Sequence, residues 1–587
     1  MNAQQLLQHF ERISEAPDAI PRLRCVILDL AVRGKLVEQD PSDEPAGLLL
    51  ERLKLDKQLA FLAEGIRARQ AVAKVNREEM WFDFPPSWEY ALFDDVFVIV
   101  SGVTKGQRVS ATEATEIPYL RVANVQRGYL DLAVIKTITV KQSDATRYSL
   151  RSGDILMTEG GDWDKLGRAA IWSEQIQPCI HQNHIFRVRP PSRDILPEWV
   201  TTYVNSRLGR SFFEEASKQT TNLASINMTE LRGFPIPLPP LAEQHRIVAK
   251  VDELMGLCDQ LEAAKAEREQ CRDSLVAASL QGLNQPAEEE ETFREHARFT
   301  FNNLPQITTR AAHIKQLRQT ILNLAVRGKL VEQDPSDEPA SELLKRIAAE
   351  KACSRKAASV KALSRSSERD GLDAQMVIPA GWALARLDDI VNVGTGLTPS
   401  KSQTSYYEGG STPWINSSAT SEDIIREARF FVTKLAIQEC RLKIYPAGSL
   451  IVALYGQGKT RGQVAELGLD ATVNQACAVV QWLPSFHELK GYIRLTLWQQ
   501  YDAMRKMAEG GPQPNLNVGK IKDRLFPLPP LAEQHRIVAK VDELMAICDQ
   551  LETQVMVMEQ DNRRFLESVL ADVLSPGIDL GAEAQVA

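Results

Sequence analysis

Two stretches of the chain set apolar residues at alternating steps of four and three. Ile247, Val251, Leu254, Cys258 and Leu261 follow the pair Pro239-Pro240. Ile537, Val541, Leu544, Cys548 and Leu551 follow Pro529-Pro530, and the pattern continues to Val555 and Met558. This is the seam of a helix with a heptad period. The first stretch predicts a helix from Leu241 to about Leu283, roughly 60 Å at 1.5 Å per residue, and the second predicts a similar one. The seam is expected to pair helix with helix inside the chain. Two shorter stretches, LRCVILDLAV and LRQTILNLAV, read as helices apolar on most faces, ended by Gly34 and Gly328. Between these segments the period changes. DVFVIVSGV, IPYLRVANV and HQNHIFRVR alternate as strands do, and EWVTTYVNSRLGRSFFEEA and YIRLTLWQQYDAMRKMA read as short helices.

The helical segments repeat. LAVRGKLVEQDPSDEPA occurs at Leu30 to Ala46 and unchanged at Leu324 to Ala340, an offset of 294. PLPPLAEQHRIVAKVDELM occurs at Pro237 to Met255 and again at Pro527 to Met545, an offset of 290. Each half is therefore a head segment, a middle and a tail segment, and the repeat defines the architecture. The entrances of the middles match, pairing Trp88 with Trp382 and Asp95 with Asp389. The exits match loosely, pairing Asn227 with Asn517. In between, identity disappears. NQPAEEEET, from Asn284 to Thr292, reads as the linker between halves, and Lys351 to Asp370 as a polar stretch, helical or disordered.

Composition is that of an ordinary soluble globular chain, with 44% hydrophobic and 25% charged residues in 587. No apolar run approaches the ~20 residues that span a bilayer. The N-terminal stretch lacks a secretory pattern, so a cytoplasmic location without membrane association is expected. The eight cysteines are scattered with no CxxC, which speaks against a disulfide framework or a zinc site. The net charge of -8 argues against a nucleic-acid binder when taken whole. Charge is unevenly placed, however: the middles carry net charges of -1 (Trp81 to Pro240) and +3 (Trp382 to Pro530), so the acidity lies outside them. The local field is what a phosphate meets.

Several enzymatic signatures fail. GQGKT at Gly456 to Thr460 resembles the end of a phosphate loop, but Ala453 stands where that loop needs its first Gly. Cys179, His181 and His184 match no standard zinc spacing, and a strand edge with polar side chains is the plainer reading. No D/N/S-P-P-Y/F/W tetrad of an adenine methyltransferase occurs, so no catalytic residue and no metal ligand is assigned. Groups able to read base edges are present. Arg and Lys read guanine, and Asn and Gln read adenine. In the first middle the candidates are Lys105, Gln107, Arg108, Asn124, Arg127, Lys165, Arg168, Gln182 and Asn183. In the second they are Thr398, Lys401, Gln403, Asn416, Gln457, Lys459, Arg461, Asn474, Gln475, Gln513 and Asn515. Any one of these is by itself an ordinary loop residue; the argument rests on the set.

Taken with the stretches IPYLRVANVQRGYLDL, GDILMTEGG and CIHQNHIFRVRP, the repeated runs and the Trp…Asp entrances resemble the specificity (S) subunits of type I restriction–modification enzymes over essentially the whole chain. The long region before Trp81 resembles the subgroup with an extended N-terminal head. The resemblance implies an α+β chain with an internal pseudo-two-fold repeat, in which two α/β target-recognition domains are joined by long antiparallel coiled-coil helices. The expected divisions are a helical head (1–80), recognition domain 1 (81–236), the first repeated helix (237–283), a linker and second head (284–380), recognition domain 2 (381–526) and the second repeated helix (527–587). It further implies a non-catalytic subunit that reads the two halves of an asymmetric double-stranded DNA target. Its helices would set the spacer, and its repeats would dock two modification (M) methyltransferase subunits, with two restriction (R) subunits completing the complex. The chain itself would hold no cofactor; S-adenosylmethionine, ATP and Mg²⁺ would sit on the partners. A scaffold that docks two identical partners without binding DNA is the rival reading, and a fused methyltransferase–specificity enzyme a weaker one.

Overall fold

The protein is described from a computed structural model. The described residues are 16, 18–64, 72, 82–106, 109–161, 166–216, 218–220, 223–284, 290–357, 378–456, 460–509 and 516–574. The chain forms two compact units, residues 1–269 with 558–587, and residues 270–557.

In the first unit the head helix Ala19–Val32 buries Ile20, Leu23, Ile27 and Leu30. It stops as its sequence dictates. Gly34 adopts φ 64°, and the N–H groups of Gly34 and Lys35 donate to the carbonyls of Ala31 and Leu30, closing a Schellman turn. A second helix, Ala46–Glu64, ends on Glu64, whose carboxylate takes Arg189 at 2.6 Å and Arg187 at 3.3 Å and so ties the head to the sheet of the middle domain.

The entrance strand Glu89–Leu92 pairs antiparallel with the exit strand Pro235–Leu238, Glu89 opposite Leu238 and Leu92 opposite Pro235. The residues matched between the halves are the fasteners of this closure. Trp88 is fully buried and donates its indole N–H to Glu243 Oε2 at 2.9 Å. Asp95 accepts the backbone N–H of Leu92 at 3.2 Å. Asn227 caps the exit helix Met228–Arg232, accepting the N–H groups of Thr229 and Glu230.

The second unit repeats these devices. Gly328 (φ 67°) ends the head helix Ala311–Val326. Ala383–Arg386 pairs with Leu525–Leu528, Trp382 donates to Glu533 at 2.9 Å, Asp389 accepts from Arg386 N–H at 3.1 Å, and Asn517 caps Val518–Lys522.

The middles share a topology that their sequences conceal. The first holds a four-stranded antiparallel sheet in the order Val98–Ser101, Ile185–Arg189, Ile155–Thr158, Ala169–Ile171. The second holds the same order in Asn392–Thr395, Cys477–Gln481, Leu450–Ala453, Val464–Leu467, and adds Ile424–Ile425 at the far edge. Each also has a three-stranded sheet whose central strand pairs antiparallel with the next long strand and parallel with a short later one. These strands are Lys136–Lys141, Ala114–Leu120 and Ile180–His181 in the first, and Phe430–Val432, Thr412–Ile415 and Thr472–Val473 in the second. Two short helices follow in both, Pro197–Asn205 with Arg207–Ala216, and Lys490–Gln499 with Tyr501–Glu509.

The tail helices run Leu241–Asn284 and Leu531–Leu574. The seams are buried from Ile247 to Cys258 and from Ile537 to Val555, whereas Leu261 is half-buried and Met558 exposed, and the structure identifies the packing partner. Ile247, Val251, Leu254 and Cys258 belong to one apolar cluster with Leu23, Ile27 and Leu30 of the head helix and with Trp88. Arg24 fastens the pair through Asp259 (2.5 Å) and Glu262 (3.1 Å). In the second unit Ile537, Val541, Leu544 and Cys548 cluster with Ile314, Leu317 and Ile321, and Arg318 bonds Asp549 and Glu552, both at 2.7 Å. Ile247 to Cys258 and Ile537 to Cys548 thus share a core with the head helix of their own half. The end of each tail helix lies in the other unit: Val276 and Leu280 join the cluster around Ile314, and Leu566, Val569 and Leu570 join the cluster around Leu23.

One expectation about the connecting segments changes, and the other is narrowed to helix over its first residues. Helix Glu290–Asn302 begins inside the stretch read as linker; residues 285–289 lie outside the described residues. The polar stretch from Lys351 starts within helix Ala340–Ala357, where Lys351 is buried and donates to the carbonyls of Asp388 and Val391; residues 358–370 lie outside the described residues. No described helix is long and apolar enough to cross a membrane.

Candidate nucleic-acid interface

In the first middle domain, Gln107, Arg108 and Lys165 lie outside the described residues. The loop after Val98–Ser101 runs beside the turn at His181 to His184: Val103 N–H donates to His181 O and Asn183 N–H to Val103 O, both at 2.9 Å. Gly102 permits this approach, because a Cβ there would stand 2.1 Å from the His181 carbonyl oxygen. The contact gathers exposed Lys105, whose ammonium sits 5.3 Å over the ring of Tyr119, with half-buried Gln182 and Asn183 on one edge. A second group forms where Gly128 N–H donates to Ala169 O at 2.9 Å. There Arg168 donates to Gln126 Oε1 at 2.6 Å, next to half-buried Arg127.

Asn124 is corrected. It is 3% exposed, accepts Arg121 N–H at 2.9 Å, and donates to the carbonyls of Asp131 (2.8 Å) and Val134 (3.1 Å). Both amide hydrogens are committed to closing its own loop, so Asn124 shapes the surface and does not offer an edge to DNA.

Cys179, His181 and His184 do not converge. Cys179 is buried in an apolar cluster, which pushes its thiol up to about 12. His181 is fully buried; burial first, and then the nearby Arg187 charge, push it down to about 3, and its Nδ1 bonds Ile185 O at 2.9 Å. His184 is exposed and pairs with Glu159 at 2.5 Å.

The second middle domain gathers its candidates more tightly. Gln457, Lys459, Gln513 and Asn515 lie outside the described residues. Gln403 is exposed at the head of the turn Thr404–Tyr406, and Arg461 is half-buried with its guanidinium 3.5 Å from Gly456 O. The other five, Thr398, Lys401, Asn416, Asn474 and Gln475, line one open cavity of about 540 Å³ together with Tyr407, Trp414 and Phe430. Strand pairing explains the convergence. Trp414 ends opposite Phe430 on one side and Thr472 on the other, so the residues following each strand end emerge together. Asn474 N–H donates to Ile415 O at 2.9 Å, and Trp414 Nε1 donates to Leu397 O at 3.2 Å. The ring edges meet: Tyr407 stands 6.4 Å and Phe430 6.1 Å from Trp414, both near perpendicular. Candidate selection by donor and acceptor type alone missed these three aromatics; the run YY followed by TPWIN was the available signal.

Gly396 sets the cavity wall. Leu397 N–H donates to Val473 O at 3.1 Å, and a Cβ on Gly396 would lie 1.6 Å from that same oxygen. Gly396→Ala is expected to part the Leu397–Lys401 segment from Asn474–Gln475 and to lower stability by about 1–3 kcal/mol. Hydrogen exchange of amides 397–401 checks this; unchanged protection there refutes it.

Comparison with known proteins follows the same division. The family model described as the type I restriction modification DNA specificity domain matches residues 85–268 and 379–556, one match in each half. The type I restriction enzyme EcoAI specificity subunit of Escherichia coli is 29% identical over 562 residues, covering 92% of this chain and 91% of the relative. The EcoEI specificity subunit of the same organism is 27% identical over 566 residues, with the same coverages of 92% and 91%. The crystal structure of the HsdS subunit from Thermoanaerobacter tengcongensis aligns with a TM-score of 0.43 at 17% identity, covering 85% of this chain and 99% of that one. Because the two family matches together take in well over half of the residues, the chain belongs to the type I restriction–modification DNA specificity family.

Proposed function

We propose that this chain is the sequence-reading subunit of a type I restriction–modification complex. Each middle domain reads one half of a bipartite, asymmetric site in double-stranded DNA. The observation that carries the reading is one frame, fastened by the same residues twice, holding two domains of shared topology whose exposed groups differ. Equal frames offer two equivalent docking places to two identical M subunits. Unequal domains make the site asymmetric. The chain contributes recognition; methylation of adenine with S-adenosylmethionine, and translocation and cleavage with ATP and Mg²⁺, belong to the M subunits and to two R subunits. The tail helices pair in the complex as an antiparallel ruler that sets the spacer. The complex works in the cytoplasm, where the DNA is.

Mapping N6-methyladenine across the genome, in cells with and without this chain, tests the proposal. The expected result is one two-part motif that vanishes with the chain, with a fixed gap that lengthens when residues are inserted into both tail helices. Methylation that persists without the chain rejects the reading, and an unchanged gap rejects the ruler.

A further inference from the structure

In the cavity of the second middle domain each amide oxygen already has a partner within the protein, while the amide nitrogens have none among the described residues. Asn416 Oδ1 accepts the N–H and the hydroxyl of Ser418 at 3.0 and 2.6 Å. Asn474 Oδ1 accepts the N–H of Ala476 at 3.0 Å. A backbone N–H can face only the oxygen of an amide, so these bonds fix which way each side chain is turned. Gln475 Oε1 in turn accepts the hydroxyl of Thr398. Asn416 Oδ1 is thereby filled by two bonds, Asn474 Oδ1 and Gln475 Oε1 hold one each, and all three amide nitrogens remain to serve a ligand, so donors outnumber acceptors in the lining. The ammonium of exposed Lys401 is also a donor without acceptor capacity. The remaining wall is aromatic, with Phe430 48% exposed beside Trp414.

A partner for this lining must present acceptors and a flat apolar body. A phosphate would meet one cation and lose hydration against the rings, which is costly. Among base edges in the major groove, guanine alone shows two acceptors, O6 and N7, with no donor. Adenine pairs an acceptor with a donor, cytosine shows a donor, and thymine shows one acceptor and a methyl group. We propose that this cavity selects a guanine in the half-site read by the second middle domain, through Asn416, Asn474, Gln475 and Lys401. The inference rests on the DNA-reading function proposed above.

Two variants test it without dismantling the fold. Asn416→Asp and Asn474→Asp keep the oxygen that accepts the local N–H and exchange the outward donor for an acceptor. In complexes assembled with the full-length variants, methylome mapping should show one guanine position relaxing. Its preference over other bases should fall roughly five- to hundredfold, in the half-site that changes when residues 381–526 are exchanged and not in the other. Binding of the wild-type complex to a duplex with 7-deazaguanine at that position, which lacks N7, should weaken comparably. Retained guanine preference with uniformly weaker methylation at all sites would mark a phosphate contact and overturn the proposal. So would equal loss in both half-sites. Absence of any chain-dependent motif in the wild type would reject the DNA-reading function itself, an outcome distinct from a motif whose guanine ignores both variants.

Discussion

Trp88→Ala should remove about 3–5 kcal/mol of stability from the first unit, the range for emptying a buried tryptophan site. The ring is fully buried, has Trp199 edge-on at 5.3 Å and stacks on Phe84 at 6.4 Å. Its indole also donates to Glu243, a residue 1% exposed. Loss of that donor adds about 1–3 kcal/mol, because a buried acceptor is left with fewer partners. Trp88→Phe isolates this second part, since it restores most of the volume and none of the donation. Trp382→Ala should cost less: Trp382 is 7% exposed, and Tyr492 stands farther off, at 6.4 Å. Urea unfolding followed by hydrogen exchange in each unit measures both; a Trp382 variant weakened as much as the Trp88 variant would contradict the packing argument.

Asp29→Asn should stabilise the first unit at pH 7 to 8 by up to about 3 kcal/mol, from a shift of about two pKa units at 1.36 kcal/mol each. Burial pushes the Asp29 carboxyl up to about 6 from an ordinary 3.8, against the pull of Arg33, Arg207 and Arg210. The sign follows from proton binding. Between the two values the folded state holds a proton that the unfolded chain has released, so stability falls as pH rises from about 4 to about 6 and stays lower above. Asparagine keeps an oxygen for the Arg207 backbone N–H and removes the ionisation. The second unit supplies the comparison, because the matching position there is already Asn323, bonded to Asn284 Oδ1 at 2.9 Å. Unfolding midpoints between pH 4 and 8 should decline for the wild type and lie flatter for the variant. A variant less stable than the wild type at pH 8 would refute the account.

The frame was legible because its signals are local or repeated. Gly34 and Gly328 end helices through their own φ angles. Asn227 and Asn517 cap the helices they precede. The common topology of the middles was not legible, since alternation tells which residues face inward and is silent on strand order. The heptad seam likewise announced an apolar face without naming its partner, and Ile247 to Cys258 and Ile537 to Cys548 share a core with the head helix of the same half. Asn124 and Asn474 show the limit for site residues. Both are asparagines in Gly-punctuated loops, yet one closes its own turn and the other lines a cavity. The aromatics of that cavity come from segments 407, 414 and 430, which only strand pairing brings together.

The strand pair that joins each middle's entrance to its exit has an evolutionary consequence. Backbones hydrogen-bonded as neighbouring strands lie about 5 Å apart, so everything between Leu92 and Pro235, or between Arg386 and Leu525, begins and ends at one socket. Any module whose two ends meet that spacing can be plugged in while the helices, caps and buried tryptophans stay as they are. Exchange of the coding sequence between two such short matched segments would then replace one middle domain as a unit and leave the other half as it is.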